Sequence, residues 1–468
     1  MAKTTSKPAT IGQLRESGHR PLPVKDEMRQ NLIRKMRAGD ELFPGVVGYE
    51  ETVIPQVENA ILSGQDIVLL GERGQAKTRI ARSLVNLLDE ETPAIAGCEI
   101  NDDPFAPICK ACQLRIAEEG DETPIHWVPR DRRYGEKLAT PDITIADLVG
   151  EVDPIKVAEG RYLSDELTIH YGLIPRTNRG IFCINELPDL AERIQVGLLN
   201  IMEERDVQIR GYKVRLPLDV FVVASANPED YTNRGRIITP LKDRLGSEIR
   251  THYPRTIEHE VEIMVAESVP FALEGIETVY PQFMKEIIAE ITHQARRSND
   301  VSQKSGVSVR VSITNYENVM SNAVRRAIRQ KERAAAPRVS DLSAVIASTA
   351  GKIELDTVGE AREEKVVEKL VRQAVSKVFR DYFDVTEFDQ LVAGFEKGLA
   401  VEASDTQPSM EYVKQLDRVG GLKPAIQKLH GHGSPATVAS AVEFILEGLH
   451  LNKRLNKEEL AGQVRYRR

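Results

Sequence analysis

The sequence is short of the features that mark several protein classes. Aromatic residues make up 5% of its 468 residues, and four cysteines are too few for a disulfide scaffold in a chain of this length. No apolar run approaches the ~20 residues of a membrane helix, since the best candidates, 67–70 and 220–224, have the length of strands. The first twenty residues lack the apolar segment of a secretory signal. We therefore expect a cytoplasmic protein with no membrane part.

The chain also has no excess of positive charge. Lysine and arginine number 63 against 71 aspartate and glutamate residues, which gives a formal net charge of −8. A dedicated nucleic-acid-binding protein would show a basic excess, so we expect no specific nucleic-acid partner. Hydrophobic residues, at 41% of this length, are sufficient for two or three domains with buried cores.

Hydrophobic patterning changes near residue 255. Before it, short β-branched runs alternate with turns and helical periodicity, which predicts a mainly parallel sheet with crossover helices. After it, long amphipathic patterns predict helices up to the end of the chain. The predicted strands are 67–70, 125–128, 181–184 and 220–223, and the predicted helices include 283–296, 313–332, 366–383 and 435–452.

A glycine-rich segment follows the first predicted strand directly and leads into a helical pattern. It consists of Gly71, Glu72, Arg73, Gly74, Gln75, Ala76, Lys77 and Thr78, with Arg79 next. Glycines allow successive backbone N–H groups to converge on an anion, the lysine reaches β and γ phosphates, and the threonine hydroxyl can bind Mg²⁺. Ala76 stands where the consensus has glycine, and we expect it to be tolerated if its φ stays negative. The segment predicts a site for nucleotide phosphates.

Polar residues at two later strand ends would complete a site for hydrolysis. The strand 180–184 leads into Asn185 and Glu186, and Glu186 is the candidate general base for an attacking water. Asn185 stands where an aspartate is expected, and its amide accepts hydrogen bonds from metal-bound water but adds no charge. Asn227 follows the strand 220–225 and suits a sensor of the γ-phosphate, although a plain Asn-Pro turn has the same pattern.

Together these segments resemble the AAA+ ATPases, and among them the branch that holds the magnesium chelatase I subunit and the MoxR proteins. The resemblance implies an α/β P-loop AAA+ core with a parallel five-stranded sheet flanked by helices, followed by an all-α lid and a helical C-terminal region. The segments that carry it, in order, are 71–78, 147–153, 180–186, 225–229 and 241–245. The implied domains are an N-terminal helical extension (1–40), the nucleotide-binding domain (41–255), the lid (256–400) and the C-terminal region (401–468).

The resemblance also implies roles for single arginines. Arg244 matches the arginine finger, which reaches the nucleotide of a neighbouring subunit, and Arg234 and Arg236 are its rivals. Arg310 matches the sensor-2 arginine at the start of a lid helix. A salt-bridged surface arginine is the alternative for Arg244 and for Arg310.

Three other segments match family features. Val47 and Gly48 match the segment that packs against adenine, where simple hydrophobic packing would show the same residues. The stretch 147–175 is similar to the helix-2 insertion, and the hairpin predicted around Gly211 is similar to the pre-sensor-1 hairpin. Such an architecture implies a homohexameric ring with ATP and Mg²⁺ between the subunits.

The family implies ATP hydrolysis coupled to remodelling of a partner protein, either for metal or cofactor insertion or as a chaperone. A von Willebrand factor A domain would come from a separate partner, because the sequence has no D-x-S-x-S motif. Two alternatives stay open. Asn185 is compatible with a nucleotide-gated scaffold of little turnover. A sigma-54-type transcription activator is the other alternative, and the GAFTGA loop of those proteins does not occur here.

Three cysteines form a separate candidate site. Cys109 and Cys112 have the C-x-x-C spacing of two thiolate ligands of Zn²⁺, and Cys98 provides a third. His126 is the candidate fourth ligand, although a histidine within an apolar strand is more often packed in the core. A structural zinc ion, reduced structural thiols and a redox switch all remain open.

Overall fold

The computed structural model describes residues 7–153, 155, 158, 166–204, 216–228, 236–269, 273–303, 306–355, 360–416, 419, 421–430, 433–460 and 463–468. The chain divides into two compact units, the first ending at His252 and the second beginning at Tyr253. The finer division into four parts stays a prediction. Among the described residues, every helix is too short or too polar to cross a membrane.

Helices and strands are numbered along the chain. The helices are α1 (Ile11–Glu16), α2 (Val24–Ala38), α3 (Val53–Leu62), α4 (Lys77–Ser83), α5 (Lys110–Glu119), α6 (Ile145–Leu148), α7 (Leu173–Arg176), α8 (Glu192–Glu204), α9 (Thr239–Arg244), α10 (Ile257–Glu267), α11 (Gln282–Arg297), α12 (Arg310–Gln330), α13 (Val345–Ala350), α14 (Glu360–Tyr382), α15 (Asp389–Glu396), α16 (Ser409–Leu416), α17 (Leu422–Lys428) and α18 (Pro435–Leu451). The strands are β1 (Ile67–Leu70), β2 (Glu91–Ile95), β3 (Ile125–Pro129), β4 (Tyr134–Leu138), β5 (Gly150–Val152), β6 (Ile169–Tyr171), β7 (Gly180–Asn185), β8 (Val220–Ala226), β9 (Ser247–Arg250), β10 (Glu277–Thr278), β11 (Ala334–Ala335), β12 (Val401–Ala403), β13 (Asn456–Leu460) and β14 (Gln463–Arg467).

A five-stranded parallel sheet forms the centre of the first unit. Its strand order is β4-β7-β8-β1-β9, and each neighbouring pair runs parallel. The three inner strands consist mainly of buried apolar residues, as parallel strands covered by helices on both faces do. One buried cluster on the sheet includes α2 and α3, and a second includes residues of α8 and α9. The predicted α/β core is confirmed.

The prediction for 125–128 was wrong in one respect. These residues form a strand, β3, but it pairs antiparallel with β2 and lies outside the central sheet. Burial along β3 is uneven, since His126 and Trp127 are half-buried. The actual outer strands are β4 and β9, which the hydrophobic pattern did not reveal.

The second unit is mostly helical, as predicted. Its main core is made by α10–α18, and α18 is buried along most of its length. It also contains strands that were not predicted. Strand β14 pairs with β12 and with β13 in a three-stranded antiparallel sheet, so residues after 400 are helical only in part.

Candidate functional site

The carboxyl ends of three neighbouring strands meet at one edge of the central sheet. β8 lies between β1 and β7, so the residues that follow these strands become neighbours although they are far apart in sequence. They are Gly71 after β1, Glu186 after β7 and Asn227 after β8. Ligands of open parallel sheets bind at this edge, where loops and helix starts offer polar groups.

A row of hydrogen bonds joins the three segments. The Lys77 ammonium donates to Asn227 Oδ1 at 2.8 Å, and Asn227 Nδ2 donates to Glu186 Oε2 at 2.7 Å. Lys77 also donates to the carbonyl oxygens of Gly71 and, at 2.8 Å, of Glu72. Lys77 and Asn227 are buried, which lowers the local dielectric and strengthens these contacts. The structure thus brings together the predicted lysine, sensor and base.

The glycine-rich loop is tied to the strand beside it. Gln75 Oε1 accepts from the Glu72 N–H at 3.0 Å and from the Thr251 hydroxyl at 2.8 Å. A Cβ on Gly71 would lie 1.9 Å from the Thr251 Oγ1 and 2.3 Å from Gln75 Oε1. Glycine is therefore required at position 71 by close approach, and Gly74 adopts a φ of 76° in the left-handed region.

The expectation that Ala76 keeps a negative φ was wrong. Its φ is 55°, in the left-handed region, where it precedes the first residue of α4. The chain must reverse from the loop into the helix at this point, which is why the consensus has glycine there. An L-residue in this conformation costs roughly 1–2 kcal/mol, so the loop holds alanine under strain. Thr78 and Arg79 follow in the first turn of α4.

Hydrogen bonds of Tyr49 connect the segment that contains it to the glycine-rich loop. Its hydroxyl lies 3.0 Å from the Gln75 carbonyl oxygen and 2.6 Å from that of His252. Burial raises the pKa of Tyr49 to about 12, so the hydroxyl stays protonated and can donate. Val47 and Gly48, which precede it, are half-buried beside this anchor. Tyr49 was not predicted as a site residue.

Asn185 lies between a hydroxyl and a carboxylate. Its Oδ1 accepts from Ser225 Oγ at 3.2 Å, and its Nδ2 donates to Glu136 Oε1 at 2.7 Å. Glu136 is on β4, opposite Cys183 of β7, and it binds the Arg82 guanidinium at 2.8 and 3.0 Å. The hydrogen bond from Arg82 lowers the pKa of Glu136 and keeps it ionised. A carboxylate is therefore the immediate neighbour of the amide that replaces the expected aspartate.

Known proteins are similar to parts of this chain. The family model described as Sigma-54 interaction domain matches residues 159–247. The magnesium-chelatase subunit ChlI of Nostoc is 26% identical over 216 residues, which are 45% of this chain and 54% of that protein. The subunit ChlI of Chlorella vulgaris is 27% identical over 219 residues, which are 44% of this chain and 55% of that protein. The chain spans about half the length of the curated relatives it matches.

A solved structure is similar over a larger share of the chain. A cryo-electron microscopy model of the complex between subunits BchI and BchD of magnesium chelatase is 18% identical, with a TM-score of 0.36. The match covers 70% of this chain and 98% of that one. The order of the motifs and the matches to the magnesium-chelatase subunits make this chain similar to AAA+ proteins of the ChlI and MoxR type.

The arginines predicted from the resemblance to AAA+ proteins lie at different positions in the structure. Arg244 ends α9 and pairs with the adjacent Asp243 at 2.6 Å. Arg236 is exposed and pairs with Glu192 at 3.4 Å. Arg310 is the first residue of α12, in the second unit, and is exposed. Arg234 and the hairpin predicted around 211 lie outside the described residues, as do 154, 156–157 and 159–165 of the insertion segment.

The cysteine cluster lies elsewhere in the first unit, between β2 and β3. Cys98, Cys109 and Cys112 approach one another as predicted, and the fourth member of the group is Asp102, not His126. His126 is on β3, opposite Ala94 of β2. All four cysteines of the chain are free thiols. Asp102 was not predicted as a ligand, because no spacing rule for cysteine ligands includes an aspartate at this position.

Proposed function

We propose that this chain binds ATP and hydrolyses it at the edge of the central sheet, as a motor subunit that remodels a partner protein. The observation that carries the proposal is the hydrogen-bonded row from Lys77 through Asn227 to Glu186. It unites a phosphate-binding lysine, a polar sensor and a candidate base on three segments of the chain. A carboxylate at a strand end without a catalytic role would not require a lysine and an asparagine in the same hydrogen-bonded row.

Each member of the row has a chemical task. The Lys77 ammonium exchanges the carbonyl oxygens of the loop for phosphate oxygens, which carry more negative charge. Asn227 holds one carboxylate oxygen of Glu186, and this carboxylate is the candidate acceptor of a proton from the attacking water. Because Asn227 contacts both partners, a change at the phosphate is transmitted to the base.

The oxygen donors near the loop fit Mg²⁺, which prefers hard oxygen ligands and keeps several waters. The Thr78 hydroxyl and the Asn185 amide oxygen are the groups that would hold it and its waters. Mg²⁺, when bound, neutralises charge on the β and γ phosphates. Glu136 places a carboxylate next to Asn185, and the Arg82 guanidinium is its ion-pair partner.

The remaining parts of the proposal concern assembly. A ring, proposed as a hexamer, would place Arg244 of one subunit near the nucleotide of the next, with Arg310 as sensor of the bound state. The relatives are named as magnesium-chelatase subunits. We therefore propose that this chain acts in metal or cofactor insertion, together with a partner that has a von Willebrand factor A domain.

A binding and turnover experiment tests the proposal against the scaffold alternative. Wild type and Lys77→Ala are titrated with a fluorescent ATP analogue, and phosphate release is measured at saturating ATP and Mg²⁺. Lys397→Ala, a change at an exposed lysine of the second unit, is the matched control. We expect Lys77→Ala to lose at least ~10-fold in affinity, about 1.4 kcal/mol, and to release no phosphate. Tight binding by wild type without turnover would instead support the scaffold.

A further inference from the structure

A second group of reactive side chains lies in the segment that joins β2 to β3. One ligand atom each from Cys98, Asp102, Cys109 and Cys112 lies within 4.8 Å of all the others. Cys98 is half-buried and the other three are buried. None of the four belongs to the segments assigned above to the nucleotide. Their convergence is a property of the fold, because Cys98 and Asp102 precede α5 while Cys109 and Cys112 lie at its start.

Backbone N–H groups point at two of the sulfur atoms. Ile100 N and Asp102 N each donate to Cys98 Sγ at 3.4 Å, and Cys112 N donates to Cys109 Sγ at 3.4 Å. Such donors stabilise the thiolate, which is the form of cysteine that binds metals. They also fix the directions of the sulfurs, as outer hydrogen bonds do around known metal ligands.

Asp102 gives an independent indication of a ligand. Its side chain has no solvent exposure, and its Oδ2 accepts from the Cys109 N–H at 3.0 Å. Among the residues that the structure describes, its Oδ1 has no hydrogen-bond partner. A buried carboxylate oxygen without a donor costs free energy, and the three cysteine sulfurs that lie within 4.8 Å of the carboxylate are weak donors. A cation among the four side chains would satisfy them all.

We propose that Cys98, Asp102, Cys109 and Cys112 bind one Zn²⁺ ion in a structural site. Thiolate-rich sets select zinc over the hard cations, and four protein ligands close a tetrahedral site. Zn–S bonds of about 2.3 Å place tetrahedral ligand atoms about 3.8 Å apart, so the ligand atoms need to move by only about 1 Å. The ion ties the turn after β2 to the first turn of α5.

Metal analysis of the purified full chain tests the proposal directly. We expect about one zinc per chain in wild type, and less than ~0.2 in Cys109→Ser and in Cys112→Ser. Cys183→Ala, which removes the cysteine of β7, is the matched control and should keep about one zinc. Zinc below ~0.2 per wild-type chain after growth with added zinc, with four titratable thiols, would overturn the proposal.

Cobalt substitution keeps the test decisive where a cysteine variant fails to fold. Wild type refilled with Co²⁺ should show thiolate-to-metal charge-transfer absorption and intense visible bands of four-coordinate cobalt. Asp102→Asn should retain the charge transfer but shift the visible bands, because one oxygen ligand changes. Unshifted bands would remove Asp102 from the site. A disulfide between Cys109 and Cys112 in protein purified with protection from air would replace zinc by a redox pair.

Discussion

Asn185→Asp restores the acidic residue that the strand motif usually has, and we expect it to destabilise the first unit. Asn185 Nδ2 now donates to Glu136 Oε1 at 2.7 Å. In the variant the donor is replaced by a carboxylate oxygen, so a hydrogen bond becomes a contact between like charges. Aspartate, the usual residue of the motif at this position, should therefore fit this chain less well than asparagine does.

The size of the effect follows from the local charges. Two unit charges about 4 Å apart repel by about 4 kcal/mol at an effective dielectric constant of 20 and by about 1 kcal/mol in water. The Glu136 side chain is 22% exposed and keeps Arg82 beside it, so the cost lies between these limits. At about 2 kcal/mol, the melting temperature of a unit of this size falls by about 4–8 °C.

Thermal unfolding of four proteins at pH 8 measures the effect: wild type, Asn185→Asp, Glu136→Gln and the double variant. In the double variant the amide and the carboxylate have exchanged strands, so we expect most of the loss from Asn185→Asp to be recovered. Glu192→Gln, at an exposed glutamate of α8, is the matched control and should rescue nothing. At acidic pH the loss should shrink, because the repulsion raises the pKa of one of the paired carboxylates and this group takes up a proton. A melting temperature of Asn185→Asp within ~1 °C of wild type, or a double variant that is simply additive, would refute the reasoning.

Other predictions address the loop, the buried charges and the ring. Ala76→Gly should raise the melting temperature through a net gain of about 0.5–1 kcal/mol, and a decrease would contradict the strain at φ 55°. Gly71→Ala should weaken binding of a fluorescent ATP analogue by at least ~10-fold, because the added Cβ would clash with Thr251. An affinity within about two-fold of wild type would mean that the loop moves to accommodate the Cβ. Glu27→Gln should cost about 3–5 kcal/mol in urea unfolding, because it leaves the buried Arg133 guanidinium, bound at 2.6 and 2.7 Å, without a counter-charge. Arg244→Ala should abolish hydrolysis and leave ATP affinity within a few-fold, and unchanged hydrolysis would exclude it as the finger.

The strands that carry the candidate site could be predicted because they lie inside the sheet. β1, β7 and β8 are covered on both faces and therefore appear as short apolar runs. The edge strands β4 and β9 contain Glu136 and Glu248 among their few residues, so their pattern resembles that of loops. Glu136 was missed for this reason, although it contacts Asn185.

Other features depend on tertiary structure that no local pattern contains. Asp102 joins the cysteines because the turn after β2 folds back on α5, and its spacing from Cys109 has no motif. The positive φ of Ala76 follows from the direction in which α4 leaves the loop. The role of Arg244 depends on a second subunit, so it stays a prediction.

Phosphate release by wild type and by Glu186→Gln, at saturating ATP and Mg²⁺, tests the central claim most directly. The variant keeps the shape of the side chain and its contact with Asn227 but cannot accept the proton of water. We predict that wild type turns over ATP, and that Glu186→Gln binds it with similar affinity but releases phosphate at least ~100-fold more slowly. Equal phosphate release by the two proteins would contradict the assignment of this site as an ATPase.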